Sequence, residues 1–340
     1  MSNHISALWN SVRIFRSAFR EQQTVITDVL RMADSIVRTP PGTPAEFEVS
    51  LDRAPEHLTS LSRNLFSTLF QSVYHLLDIG APRRQLYGRI NYLFRLWVTS
   101  ADNLLDSEDK FVLPIRMPGS SRVMRQVVSI MTADRLLTRI LQEAIAESTL
   151  TESEANRLSA GTLHVLLPSA AQEASEEGGI TDRPSPDYVL NTIHRLKTGL
   201  LFNLPFLGPD LLEQGIDPHR KESLKNALLN FGIACQVLDD IRDLARDFRE
   251  RRHNYILSIL TWNRHPYLQQ LQARPPDITA RLHLEIPEVT IPAARQAIRD
   301  IAQSFGTLSA AGLDLPPADS VKLAETFITV LDLGDLQYAV

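Results

Sequence analysis

Two groups of acidic residues have the spacing that metal chemistry needs. The first lies in LFRLWVTSADNLLDSEDK, from Leu93 to Lys110, where Asp102, Asp106 and Asp109 recur at i, i+4 and i+7. The second lies in GIACQVLDDIRDLARDFRERRHNYIL, from Gly232 to Leu257. On a wheel advancing about 100° per residue, Gln236, Asp240, Asp243 and Asp247 share one sector, with Asp239 beside them. Carboxylates at such spacing repel one another along a helix, and a bound cation would offset that repulsion. Mg2+ takes oxygen ligands, keeps several waters, and is typically held by one or two carboxylates plus substrate phosphates. Either stripe alone reads as a solvated helix face. Two such stripes facing across a bundle point to a diphosphate held by metal ions.

The elements that must position these acids are helices. The second stretch has no proline and its only glycine is its first residue, which predicts one uninterrupted helix. Ile233, Cys235, Val237, Leu238, Ile241 and Leu244 would bury it. The first stripe belongs to a helix expected over 84–110. Further helices are expected over 58–79, 123–147, 151–167 and 188–202, with one or two over 1–38, where Leu8, Val12, Phe15 and Phe19 form an apolar stripe. Residues 39–55, 114–121, 169–186 and 205–218 read wholly or partly as loops. Pro275, Pro276, Pro287 and Pro292 divide the C-terminal part into shorter helices. Sustained alternating β-branched runs do not occur. The expected fold is all-α: a single large antiparallel helical bundle with a central active-site cavity. One domain is expected over 1–340, with a core of about 58–265 and accessory helices over 1–38 and 266–340.

Composition narrows the partners. The chain has 340 residues, 44% hydrophobic and 22% charged, which suits a globular protein with a large core. A net charge of −5 argues against nucleic acid as a general partner. A single cysteine excludes an internal disulfide framework and a multi-cysteine zinc site, and suits a reducing cytoplasm. The N-terminal residues lack the apolar core of a secretory signal. No apolar run is long enough to cross a bilayer. The expected location is cytoplasmic, with no integral membrane segment.

The order of these motifs resembles the class I isoprenoid synthases, specifically the trans-polyprenyl diphosphate synthase branch. Gln236-Val-Leu-Asp-Asp240-Ile-Arg-Asp243 is similar to that family's second motif, FQxxDDxxD, with Cys235 in place of Phe. Lys197-Thr198-Gly199 resembles its KTG motif, whose Lys and Thr bind diphosphate. Gln172 is a candidate for the Gln of its GQ element. Asp102 to Asp106 stands where the first DDxxD is expected. The resemblance spans roughly residues 60–260. Two departures stand out. Asn103 replaces a carboxylate of the first motif, and the Arg-Arg-Gly that follows it in the family is missing. Arg116 or Arg122 could substitute for that element, and Arg53 and Arg63 are upstream candidates without the family's Gly-Lys.

The resemblance implies an Mg2+-dependent enzyme, using three ions, that ionises an allylic prenyl diphosphate. Asp102, Asp106, Asp240 and Asp243 would be catalytic, with Asp109, Asp239 and Asp247 joining them as metal ligands. Lys197, Thr198, Gln236, Arg242, Arg246 and Arg252 would bind diphosphate. Carbon–oxygen cleavage would leave an allylic cation in a dry pocket, stabilised by aromatic faces. Phe94, Trp97, Phe202 and Phe231 are the pocket candidates, with Phe66 and Phe70 behind them, although each aromatic alone is an ordinary core residue. His194 and Cys235 read as packing residues. The two departures favour a terpene synthase (cyclase) acting on farnesyl or geranylgeranyl diphosphate. The alternative is a chain-elongating prenyltransferase that adds isopentenyl diphosphate. Head-to-head coupling and a non-catalytic subunit rank behind both, and a homodimer is expected by resemblance.

Overall fold

A computed structural model of the chain describes residues 13–330 apart from Ser107, Val112, Pro275, Pro276, Ile278, Asp314 and Pro316, and also describes Leu333. Leu8 and Val12 of the expected N-terminal stripe, and the Pro275–Pro276 break, lie outside the described residues. In chain order the longer helices are α1 Arg13–Asp34, α2 Leu61–Leu76, α3 Ala81–Leu105, α4 Arg122–Ala146, α5 Glu152–His164 and α6 Leu167–Glu176. A π-helix, Val189–Gly199, and a short helix α7, Leu207–Leu212, follow. Then come α8 Pro218–Arg242, α9 Leu244–Glu250, α10 Tyr255–Trp262, α11 Pro287–Leu308 and α12 Pro317–Val330. The strand content among the described residues is one antiparallel pair, β1 Ser50–Leu51 with β2 Ile115–Arg116. The fold is all-α, as the sequence predicts. No described helix is long and apolar enough to cross a membrane.

The residues divide into two compact units. The first comprises Arg13–Leu163 with Leu204–Ile216. In it α1 packs on α2 and α3, and α3 packs on α4. Val25, Ile26, Val29, Leu93, Leu96, Leu136 and Ile140 form its apolar seam and are almost fully buried. Burial of side chains this size stabilises by roughly 1.5–3 kcal/mol each. Glu21 of α1 ties three helices together. Its carboxylate accepts from Arg84 Nη2 at 2.8 Å and Gln71 Nε2 at 2.9 Å, and lies 3.1 Å from His75 Nε2. Burial pushes this carboxyl up, but the bonds from His75, Arg84 and Gln71 outweigh it and bring the pKa down to about 2.

The second unit comprises His164–Asn203 with the described residues of Asp217–Val340. Here α8 packs on α11 and on the π-helix. Asp217 caps α8 by accepting from His219 N at 3.0 Å, and Pro218 occupies the first turn, where its missing N–H costs nothing. Phe231 stacks on Phe202 at 5.5 Å and meets Phe305 edge-on at 5.2 Å.

The structure corrects several helix limits. The stretch 232–257 is not one helix. Asp243 (φ −91°, ψ 12°) ends α8, and Arg251, left-handed at φ 58°, ends α9. Asn254 starts α10 by accepting from Leu257 N at 3.1 Å. The first acidic helix stops at Leu105, not at Lys110. In the stretch 169–186, read as partly loop, the helix α6 runs to Glu176. α11 runs 22 residues through Pro292, which the sequence takes as a break. The ribbon β1–β2 forms where both segments read as loops, because two residues are too few to show alternation.

Candidate functional site

The first acidic set sits at the C-terminal end of α3, in the first unit. Asp102 is on the last turn of the helix and Asp106 caps it. One oxygen each from Asp102, Asp106 and Glu108 lies within 4.8 Å of the others. Three hard oxygen donors at this spacing fit a divalent cation of the Mg2+ or Ca2+ type. The helix ends before Asp109, so the i, i+7 face is not formed. Asp109 turns instead to Arg125 Nη1 at 3.0 Å and Gln126 Nε2 at 3.3 Å. Glu108 takes the place the sequence gives to Asp109. Asn103 does not line up with Asp102. It is 1% exposed, donates to the Lys110 carbonyl at 2.8 Å and accepts from the Lys110 N–H at 2.9 Å.

The second acidic set occupies the junctions between α8, α9 and α10 in the second unit. Asp240 is 1% exposed, and its acceptors are taken up inside the protein. Gln236 Nε2 donates to Oδ1 at 3.0 Å, and Tyr255 N donates to Oδ2 at 2.5 Å. His194 Nε2 lies 2.9 Å from the same Oδ2. Asp240, expected as a metal ligand, thus has its carboxylate enclosed by protein donors. Asp243 is bonded to Arg242 at 2.8 Å and Arg246 at 2.6 Å, and Arg242 also pairs with Asp239. Burial pushes Asp239 up to about 6; Arg242 opposes that rise and Asp243 adds to it. Asp247 is buried and accepts from Asn254 Nδ2 at 2.8 Å. Burial, with Asp240 nearby, holds its carboxyl well above the usual range. The common sector expected for Gln236, Asp240, Asp243 and Asp247 is broken where α8 ends. Among the described residues, this set brings no three carboxylates as close as the first set does.

Three predicted diphosphate ligands do come together. The Thr198 hydroxyl donates to Gln236 Oε1, and Gln236 in turn donates to Asp240. Lys197 lies beside them on the π-helix, 3.3 Å from both Glu173 and Glu176. Burial works against its charge, but Glu176 and Glu173 outweigh it and hold the ammonium above the usual lysine range. Arg252 lies 4.0 Å from Glu250. Gln172 donates to Glu176 at 2.8 Å.

Sequence reasoning missed Glu108, Glu176 and Asn254, and set His194 aside as packing. Glu176 is fully buried and also accepts from His253 N at 2.6 Å, which ties α6 to the loop before α10. The one signal for it was its place four residues after Gln172, the spacing of one helical turn. His194 and Asp240 are 46 residues apart, and no local pattern links them.

The aromatic candidates pack within each unit. Phe94 is 2% exposed and meets Trp97 edge-on at 5.7 Å. Two cavities, of about 480 and 430 Å³, are lined by residues other than Phe94, Trp97, Phe202 and Phe231. The 480 Å³ cavity lies in the first unit and gathers Arg53, Lys110, Arg116 and Arg125, with Asp109 and Phe111. Arg63 stands 6.0 Å over the Phe111 ring.

No protein-family model matches the sequence, and no curated protein matches it. Solved structures do match. A decaprenyl diphosphate synthase from Rhodobacter capsulatus aligns with a TM-score of 0.61 at 16% identity, covering 94% of this chain and 98% of that one. A geranylgeranyl pyrophosphate synthetase from Pyrococcus horikoshii gives 0.57 at 17%, covering 92% and 97%. A polyprenyl synthase from Caulobacter crescentus, complexed with calcium and isoprenyl diphosphate, gives 0.55 at 17%, covering 95% and 97%. The chain has the isoprenoid synthase fold.

Proposed function

We propose that this chain is a metal-dependent prenyltransferase that extends an allylic prenyl diphosphate with isopentenyl diphosphate. The observation that carries the reading is the 480 Å³ cavity beside the first acidic set. It collects Arg53, Arg116 and Arg125, and so supplies cationic groups suited to a second diphosphate. The missing Arg-Arg-Gly element had counted against elongation. The structural relatives named above support the same choice. Cyclisation of farnesyl or geranylgeranyl diphosphate is the second reading, favoured by Asn103 in place of a carboxylate. Both readings treat the whole chain as one functional domain.

In this reading Asp102, Asp106 and Glu108 hold a divalent ion, Mg2+ in the cell, and Asp239 and Asp243 are the candidate ligands within the second unit. A divalent ion held there would neutralise the charge that grows on a departing diphosphate. Lys197 presents an ammonium to diphosphate oxygens, and the Thr198 hydroxyl, whose one proton goes to Gln236 Oε1 in this structure, would redirect that proton to them. Gln236 fixes the Thr198 hydroxyl, and buried Asp240 fixes Gln236, so Asp240 acts as a positioning residue. Planar guanidinium groups grip phosphate through paired N–H donors, which suits Arg53, Arg116 and Arg125 to the second substrate. A cytoplasmic location goes with this reading and suits the single, buried Cys235. So does a homodimer, supported by exposed Val123, Met124 and Met131 along α4.

The test is to incubate the protein with Mg2+ and geranyl, farnesyl or geranylgeranyl diphosphate, with and without isopentenyl diphosphate. Products are read by gas chromatography–mass spectrometry after phosphatase treatment. A longer prenyl alcohol that needs isopentenyl diphosphate supports elongation. A hydrocarbon or cyclic alcohol formed without it selects the cyclase reading. Unreacted substrate in every tube removes both.

A further inference from the structure

The first acidic set carries its own cation. Lys110 Nζ lies 2.8 Å from Asp102 Oδ2 and 2.7 Å from Glu108 Oε2. Its position does not depend on a flexible side chain alone. Asn103, buried in the last turn of α3, holds the Lys110 backbone by two hydrogen bonds, one to its carbonyl and one from its N–H. A primary amide has both a donor and an acceptor to offer, and this clamp uses both. Where the resembling family has a carboxylate, this chain has a side chain turned inward that delivers an ammonium to the same cluster.

We infer that Lys110 is a resident cation of the first metal set, placed by Asn103, and that it reduces the set's demand to a single divalent ion. The inference rests on the metal-dependent reading above. Asp102, Asp106 and Glu108 bring three negative charges, and Lys110 offsets one, which leaves the charge that one divalent ion neutralises. The ammonium sits within direct contact of two of the three ligands, so it repels a second ion. Asn103 and Lys110 are positioning residues here. Reverting Asn103 to the family's carboxylate adds no ligand: the new oxygen would face the Lys110 carbonyl where the amide N–H now donates.

The test is a titration of the full chain with Mn2+, with free Mn2+ read by electron paramagnetic resonance. Wild type, Lys110→Gln, Lys110→Arg, Asn103→Asp and Asp102→Asn are compared, with melting curves taken without metal. The expected result is that Lys110→Gln binds Mn2+ about tenfold more tightly, from loss of a like charge a few ångströms away, or takes up one more ion. Lys110→Arg should bind as wild type, and Asn103→Asp should melt lower and gain no ion. A merely structural lysine would not tighten metal binding when removed. If Lys110→Gln matches wild type while Asp102→Asn binds more weakly, the inference fails and the metal-dependent reading stands. If no protein in the series binds Mn2+, both fail.

Discussion

Asp240 shows how burial changes the role of a residue that looks like a ligand. It lies within an acidic run, yet Gln236, Tyr255 N and His194 surround its carboxylate. A buried group whose partners are all protein groups contributes to folding first. Asp240→Asn keeps the shape but replaces one acceptor oxygen with a donor, and that donor would face groups that themselves donate. Leaving buried polar groups mismatched costs about 1–3 kcal/mol. We expect a lower melting temperature by calorimetry, together with weaker pyrophosphate binding through the displaced Gln236 and Thr198. A melting temperature equal to wild type would show that the network carries no stability.

At the scale of elements, close packing of α8 on the π-helix positions Thr198. A methyl group at Gly232 would lie 2.7 Å from the Phe202 ring and 3.1 Å from the Thr198 carbonyl. Alanine favours helix over glycine by about 1 kcal/mol, but overpacking of this kind costs about 1–3 kcal/mol. Gly232→Ala should therefore be neutral to destabilising in chemical denaturation, and should lower pyrophosphate affinity as Phe202 pushes on the Thr198 turn. Unchanged affinity would detach that turn from diphosphate binding. In the first unit, Glu21 joins α1 to α2 and α3, with a folded pKa of about 2 against an ordinary 4.5. A depressed carboxyl stabilises above its unfolded value, and that stability is lost as pH falls toward the folded one. After discounting for partial exposure, the contribution is about 1–2 kcal/mol. Glu21→Gln should be less stable than wild type at pH 7, and the gap should close between pH 4.5 and about 2. A gap that stays constant over that window would remove Glu21 from the acid response.

At the scale of the whole molecule, α4 leaves Val123, Met124 and Met131 exposed, at 54%, 51% and 59%. Contiguous exposed apolar side chains mark interaction surfaces in soluble proteins. Light scattering should give a dimer mass for wild type and a monomer mass for Met131→Glu. A monomer mass for wild type would refute the homodimer. Fold likeness extends over nearly the full length of solved structures only 16–17% identical. The bundle tolerates that divergence because a helical core asks for apolar residues of about the right size at each position, not for particular ones.

Helix content, the two acidic runs and the Lys197-Thr198-Gly199 turn were legible from the sequence, since each depends on residues a few positions apart. The apolar period buries one helix face, and carboxylates four apart lie together on the other. What the sequence alone did not show were contacts across long separations and the endings of helices. Nothing local announces that α3 stops at Leu105, or that Asn103 folds back on Lys110. Nor does anything local show that Asp243 ends α8, whereas Asn254, a favoured N-cap residue three positions before the N–H it caps, is a local signal for the start of α10. Nothing within a few residues pairs His194 with Asp240, or Lys197 with Glu176. A helix ends where tertiary contacts satisfy its last carbonyls better than another turn would, and a carboxylate binds whatever donor the fold brings within 3 Å. The residue types limited this protein to carboxylate and ammonium chemistry on helices. Packing decided which of those acids stay open to a cation and which are already spoken for by the protein.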